Sequence, residues 1–248
     1  MNASPSAAPR PPHADAAPTG RVFSVNVGQA RATEHAAVGV TGIDKRPVDG
    51  PVRVAAPGPR GTGGSGLVGD AIGDLRHHGG DDQAVYAYAR EDLDGWAEEL
   101  GRELPGGSFG ENLTTTGVDV NGARIGERWQ IGDELLLEVC GARIPCRTFA
   151  DKMGVRGWVR RFTQAVLPGA YLRVLRPGEV RAGDAVRIAH RPDHDVTVAL
   201  VFRAFTTESD LLPRLLVADA LPERLKEKAR KRLPMELDDV EVVGEPTA

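Results

Sequence analysis

The sequence predicts a mainly β fold: a barrel or closed sheet with a few peripheral helices, followed by a small C-terminal module of three helices. Three observations carry this. Short segments with alternating apolar residues recur from Arg21 to about His190. Glycines and Gly-Asp pairs (Gly69-Asp70, Gly73-Asp74, Gly132-Asp133, Gly183-Asp184) punctuate them as turns. After His194 the apolar period becomes helical. Many short strands joined by such turns favour closure of the sheet.

Residues 1–20 are rich in Ala and Pro and offer little apolar surface, so a disordered leader is expected there. The barrel domain, 21–190, opens with Arg21 to Val27, which alternates and stops at Gly28. Segments 51–54, 128–131, 134–140, 170–175 and 184–188 read as further strands. The Gly-rich stretch Gly58 to Gly66 is expected to be a flexible hairpin connection. It lacks the Gly-Lys-Ser/Thr ending of a phosphate-binding loop.

Arg90 to Leu100 sets Leu93, Trp96, Ala97 and Leu100 on one helical face. Gly157 to Val166 is a second helix. The module, 195–233, begins with Val196 to Phe205. Thr207 is expected to cap the next helix, through Leu211, Leu212, Leu215 and Leu216. Pro222 suits the first turn of the last, Glu223 to Leu233, whose many basic residues read as a solvated face or a docking face. Residues 234–248 form an acidic tail.

The 248 residues are 41% hydrophobic and 27% charged, as in a globular chain. A net charge of -4 argues against a nucleic-acid backbone as partner. No apolar run approaches the roughly 20 residues of a membrane span, and no apolar signal core opens the chain. A cytoplasmic protein without a membrane partner is therefore expected. Its two cysteines, Cys140 and Cys146, cannot build a disulfide framework, and their spacing is neither CxxC nor that of a zinc finger.

Four stretches offer chemistry. In Cys140-Gly-Ala-Arg-Ile-Pro-Cys-Arg147 a strand ends, the chain is redirected, and Cys146 follows between Arg143 and Arg147. Nearby cations favour a thiolate, so Cys146 is a candidate soft metal ligand or nucleophile. Its local features leave structural packing equally open. Cys140, inside an apolar strand, reads as a small buried hydrophobe. In the second stretch, His77 and His78 precede Gly79 and Gly80 in a loop suited to an oxyanion. On an extended segment, however, two adjacent side chains face opposite ways. The third, Ser108-Phe-Gly-Glu-Asn-Leu-Thr-Thr115, either fixes a ligand or is a turn held by Asn112 and Thr114. The fourth, Val40 to Pro47, presents Lys45 and Arg46 to an anion or to solvent.

Taken in order, Thr-Gly-Ile-x-Lys-x-Pro-Val, His-His-Gly-Gly, Phe-Gly-Glu-Asn-Leu-Thr and Arg-Ile-Pro-Cys resemble the MOSC domain family. The likeness, from about Phe23 to Leu233, is greatest to the stand-alone YiiM-type branch with its C-terminal three-helix module. The resemblance implies a β-barrel fold that binds the molybdenum cofactor, a molybdopterin. It implies Cys146 as the molybdenum ligand, with Lys45, His77, His78, Asn112, Arg143 and Arg147 lining the pterin and phosphate pocket.

It also implies reduction of N-hydroxylated small molecules of the hydroxylaminopurine type. The same likeness admits a sulfur carrier with a persulfide on Cys146, or a cofactor carrier without turnover. The Gly58 to Gly66 insert departs from the pattern and obscures the entrance.

The residues agree with that chemistry. A thiolate suits a heavy, redox-active metal, and arginines suit phosphate. Gly79 and Gly80 would let main-chain amides reach the ligand. Asp82 and Glu111 are the candidate proton donors. Flavin and iron–sulfur motifs are lacking, so electrons must come from a separate reductase. The resemblance and the appended helices point to a homodimer.

Overall fold

The computed structural model describes residues 20–36 and 38–237. The expected leader and tail thus lie outside the described residues, apart from Gly20 and 234–237. The first half of the chain runs β1 (Gly20–Gly28), β2 (Arg31–Ala32), β3 (Val40–Thr41), β4 (Lys45–Pro47), β5 (Val52–Val54), β6 (Val85–Ala89), α1 (Arg90–Leu100) and β7 (Leu113–Thr116). There follow β8 (Arg128–Ile131), β9 (Leu135–Ala142), α2 (Arg147–Met153), α3 (Trp158–Ala165), β10 (Ala170–Arg176), β11 (Gly178–Val180), β12 (Ala185–His190), α4 (Val198–Thr206) and α5 (Glu223–Arg230).

Seven strands close into a mixed barrel. β1 seals it, pairing with β7 on one side and with β12 on the other. Its register slips between Val22 and Ser24, and its last residues leave the ring to pair with β4, Gly28 opposite Lys45. That bend carries Lys45 to the rim. β6 and β7 run parallel, so α1 serves as their crossover. α1 forms as its apolar face requires, with Leu93 and Trp96 buried. Gly101, left-handed at φ 62, ends it by donating its amide to the carbonyls of Ala97 and Glu98.

Two cores result. The barrel interior holds Val22, Leu113, Trp129, Ile131, Leu137 and Val186. Outside it, Tyr88, Trp96, Phe109, Phe149, Trp158 and Phe162 form an aromatic core that clamps α1, α2 and α3 to the sheet. Phe109 lies at its centre, its ring centroid 4.9 Å from Tyr88 and 5.2 Å from Phe149. Phe109→Ala is expected to cost about 3–5 kcal/mol in urea unfolding. A loss under about 1 kcal/mol would mean that the ring does not anchor the cluster.

The C-terminal module packs on the barrel. Val198, Val201, Phe205, Leu212, Leu215 and Leu225 belong to the barrel's own core cluster. Phe202 instead joins the aromatic core, its ring 6.1 Å from Phe162. The middle helix is a 3-10 segment, Ser209–Val217, with Pro213 inside it. Proline has no amide to donate and disfavours an α-helix there. Thr207 does not cap this segment. It closes α4, donating its amide to Arg203 O. No helix among the described residues is long and apolar enough to cross a membrane.

The Gly-rich loop is knitted in rather than loose. Gly66 N donates to Ala84 O at 2.7 Å, Gly61 N to Leu75 O at 3.2 Å, and Asp81 N to Gly58 O at 2.9 Å.

Candidate active site

At the rim near β4 and the start of β6 lies a cavity of about 560 Å³, within the usual range for ligand pockets. β9 ends at Ala142, and Arg143-Ile144-Pro145 carries the chain to Cys146, which stands in extended backbone immediately before α2. Its carbonyl accepts the amides of Phe149 and Ala150 at 3.1 and 3.0 Å. Cys146 is half-buried and borders the cavity. Cys140 is fully buried, its thiol donating to Asp82 O at 3.1 Å, and burial pushes that thiol up to about 12. Of the two sulfurs, Cys146 alone faces the cavity.

A buried network fixes one wall. The Asp70 side chain is fully buried and accepts from Lys45 Nζ, from Asn112 Nδ2 at 2.9 Å and from Gly28 N at 2.7 Å. Burial pulls Lys45 below the usual lysine range, and Asp70 opposes that shift. Asn112 is held twice more, accepting from Tyr86 N at 3.1 Å and donating its own amide to Tyr86 O at 2.8 Å.

Arg143 forms another part of the lining. It is buried, donates to the Phe109 carbonyl, and stacks its guanidinium 3.8 Å from the Phe149 ring centroid and 5.2 Å from that of Tyr86. Among the described residues it has no carboxylate partner. A buried cation with no carboxylate partner, set beside a cysteine, is a place for an anion.

His77 and His78 both line the cavity. The expected extended segment is a tight turn, in which the amides of both histidines donate to Asp74 O, at 3.2 and 2.9 Å. Burial, then Arg143 and His77, pull His78 down to about 4. A neutral histidine whose folded value lies below its unfolded value loses stability as pH falls. The loss begins near the unfolded value of about 6.5 and is complete below about 4. Unfolding free energy should therefore fall between pH 7 and pH 4.5, and His78→Asn should make that fall visibly shallower. Parallel pH dependences in the two proteins would remove His78 as the cause.

Gly79 lines the cavity, but the glycine pair answers to the Gly-rich loop. A side chain on Gly79 would meet Gly64 O at 2.7 Å, and one on Gly80 would meet Arg60 Cα at 2.7 Å. Gly80 does not line the cavity, and its amide goes to Gly64 O at 3.0 Å rather than to a ligand.

The two expected proton donors are placed elsewhere. Asp82 pairs with Arg173 at 2.8 Å. Glu111 is buried beneath the Gly106–Gly110 turn and accepts from Gly107 N at 2.6 Å, Phe109 N at 2.9 Å and Thr114 Oγ1 at 2.9 Å. Neither lines the cavity. Glu111 instead holds the turn whose Phe109 carbonyl seats Arg143.

The structure thus brings Lys45, His77, His78 and Gly79 together with Asn112, Arg143, Cys146 and Arg147. Sequence reasoning missed Asp70, Tyr86 and Tyr171. The only signal for Asp70 was a Gly-Asp pair indistinguishable from the turn pairs.

The model of the MOSC domain matches residues 74–187. The uncharacterized protein YflK of Bacillus subtilis (strain 168) is 33% identical over 183 residues, covering 73% of this chain and 79% of the relative. The chain belongs to the MOSC domain family. The crystal structure of YiiM from Geobacillus stearothermophilus superposes with a TM-score of 0.69 at 27% identity. That match covers 86% of this MOSC protein and 99% of YiiM. A protein of Gibberella moniliformis (strain M3125 / FGSC 7600) named "Reductase" is 29% identical over 216 residues, 85% of this chain but 37% of its own length. The matched family segment contains the histidine turn, Asn112, Arg143 and Cys146, but not Lys45 or Asp70.

Proposed function

We propose that this MOSC protein binds the molybdenum cofactor in the 560 Å³ cavity, with Cys146 as its protein ligand to the metal, and reduces N-hydroxylated compounds. The carrying observation is Cys146 at the cavity wall, facing a buried Arg143 with no carboxylate partner among the described residues. The residues fit the group. A soft thiolate is offered to a heavy metal, and Arg143 and Arg147 to a phosphate. Among the described residues no three His, Cys, Asp or Glu side chains could cage an ion, so the remaining ligands must come with the cofactor. The reductase-named relative and the family's association with this cofactor support the reading.

When bound, the cofactor supplies two-electron chemistry at the metal. The protein binds and orients. Arg143, locked by the Phe109 carbonyl and two rings, offsets negative charge without reorganising. Asn112 and Lys45, fixed by Asp70, complete the lining. Cleaving the N–O bond takes two electrons and two protons and yields an amine and water. The electrons come from a separate reductase. Exposed His77 at the mouth relays protons from solvent, the role that neither Asp82 nor Glu111 is placed to fill.

Protein from a host that makes the cofactor should carry about one molybdenum per chain, as one ligating thiolate allows. It should reduce hydroxylaminopurine when given an electron donor. Cyanide-labile sulfur on Cys146 without any reduction would instead make it a sulfur relay. Neither metal nor persulfide would overturn both readings.

A further inference from the structure

A second hollow, of about 220 Å³, lies against Cys146. It shares Cys146, His77, His78, Gln83 and Tyr171 with the larger cavity. Its outer wall comes from the C-terminal module: Val201 and Phe205 of α4, Arg224 and Leu225 of α5. Arg60, from the Gly-rich loop, faces the same space, with exposed Glu236 also along its lining.

The two arginines are the unusual feature. Of the other cations of α5, Arg230 meets Glu223 at 2.5 Å and Lys226 donates to Asp219 O at 2.8 Å, while Lys228 has no partner among the described residues. Arg224, half-buried, has no ion-pair or hydrogen-bond partner among the described residues, and neither does Arg60. Burial, then the neighbouring Arg60, lower the Arg224 pKa. Asp82 offsets only part of that cost; two adjacent guanidiniums without a paired carboxylate among the described residues repel each other, and a bound anion relieves the repulsion. Beside them the half-buried Ile144 and Met235 offer apolar surface, backed by the nearly fully buried Val201, Phe205 and Leu225.

We infer that this hollow is the substrate subsite, and that the substrate is an N-hydroxylated compound with a flat apolar body and an acidic group. Arg60 and Arg224 hold its phosphate or carboxylate, the body lies on Ile144 and Met235, and the N–O bond points to the Cys146 junction. The larger cavity is left to the cofactor. The inference rests on the reductase reading for its chemistry but not for its binding site. It also explains why the appended module is there, since two of its helices wall the subsite.

The test uses matched pairs. Kinetics compare the monophosphate of hydroxylaminopurine riboside with the neutral riboside, and para-hydroxyaminobenzoate with phenylhydroxylamine. Calorimetry compares their amine products with the Cys146→Ser protein: adenosine monophosphate with adenosine, and para-aminobenzoate with aniline. The charged member should bind about tenfold more tightly or better, and Arg60→Gln/Arg224→Gln should collapse that preference to about one. Preference for the phosphate alone, or for the carboxylate alone, identifies the acidic group. Equal binding of charged and neutral members overturns the inference. So does loss of pterin from the doubly substituted protein, which would assign the arginines to the cofactor. If no hydroxylamine is reduced but the charged products still bind through these arginines, the reductase reading fails and the anion subsite stands.

Discussion

Cys146→Ser should lower reduction of hydroxylaminopurine by more than about a hundredfold, beyond the ten- to hundredfold typical of residues that only support a metal ligand. Serine keeps the size of the side chain but replaces a soft donor with a hard one. Metal content should fall with activity, because among the described residues no other cysteine faces the cavity. The control is Cys140→Ser. Cys140 is sealed in β9 and donates to two carbonyls, Asp82 O and Tyr171 O, which a hydroxyl can still serve. That variant should keep most of its molybdenum and most of its rate. Full activity in Cys146→Ser, or matching losses in both variants, would remove the sulfur from the reaction.

The second large effect is on stability. Asp70→Ala strands Lys45 Nζ, the Asn112 side-chain amide and the Gly28 amide in a buried wall. Removing one partner of a buried charge pair costs about 3–5 kcal/mol, most of it from the charge left behind. Asp70→Ala/Lys45→Met should recover much of that loss, because the stranded charge is then gone. Urea unfolding of the two single variants and the double variant gives the coupling directly. If the double variant is as unstable as Asp70→Ala, the Lys45 charge is not the source of the cost.

The legibility of the sequence followed the range of the interactions. α1 was readable because its face of Leu93 and Trp96 is a local pattern and Gly101 a local stop. α2 was not: it is seven residues long and follows directly on Pro145 and Cys146. β4 is three residues long, too short to show alternation, so its own residues left Lys45 open between an anion and solvent. Cys146 and Arg143, which line the cavity, stood out because proline, cysteine and arginines sit together in sequence.

Asp70 was missed because its meaning lies in Lys45 and Asn112, far away along the chain. The structural role of Glu111 was hidden for the same reason. A carboxylate in a conspicuous motif resembles an acid catalyst until its acceptor bonds to Gly107, Phe109 and Thr114 are seen. Arg60 and Arg224 share a hollow only because α5 folds back beside the Gly-rich loop.

The barrel's count of strands also has a consequence. A ring with an odd number of members cannot alternate up and down all the way round, so at least one neighbouring pair must point the same way. Here that pair is β6 and β7. Both therefore begin at the same edge, which sets Asn112, just before β7, beside Tyr86, the second residue of β6. Parity thus requires a parallel pair, and here that pair brings Asn112 and Tyr86 together at one edge.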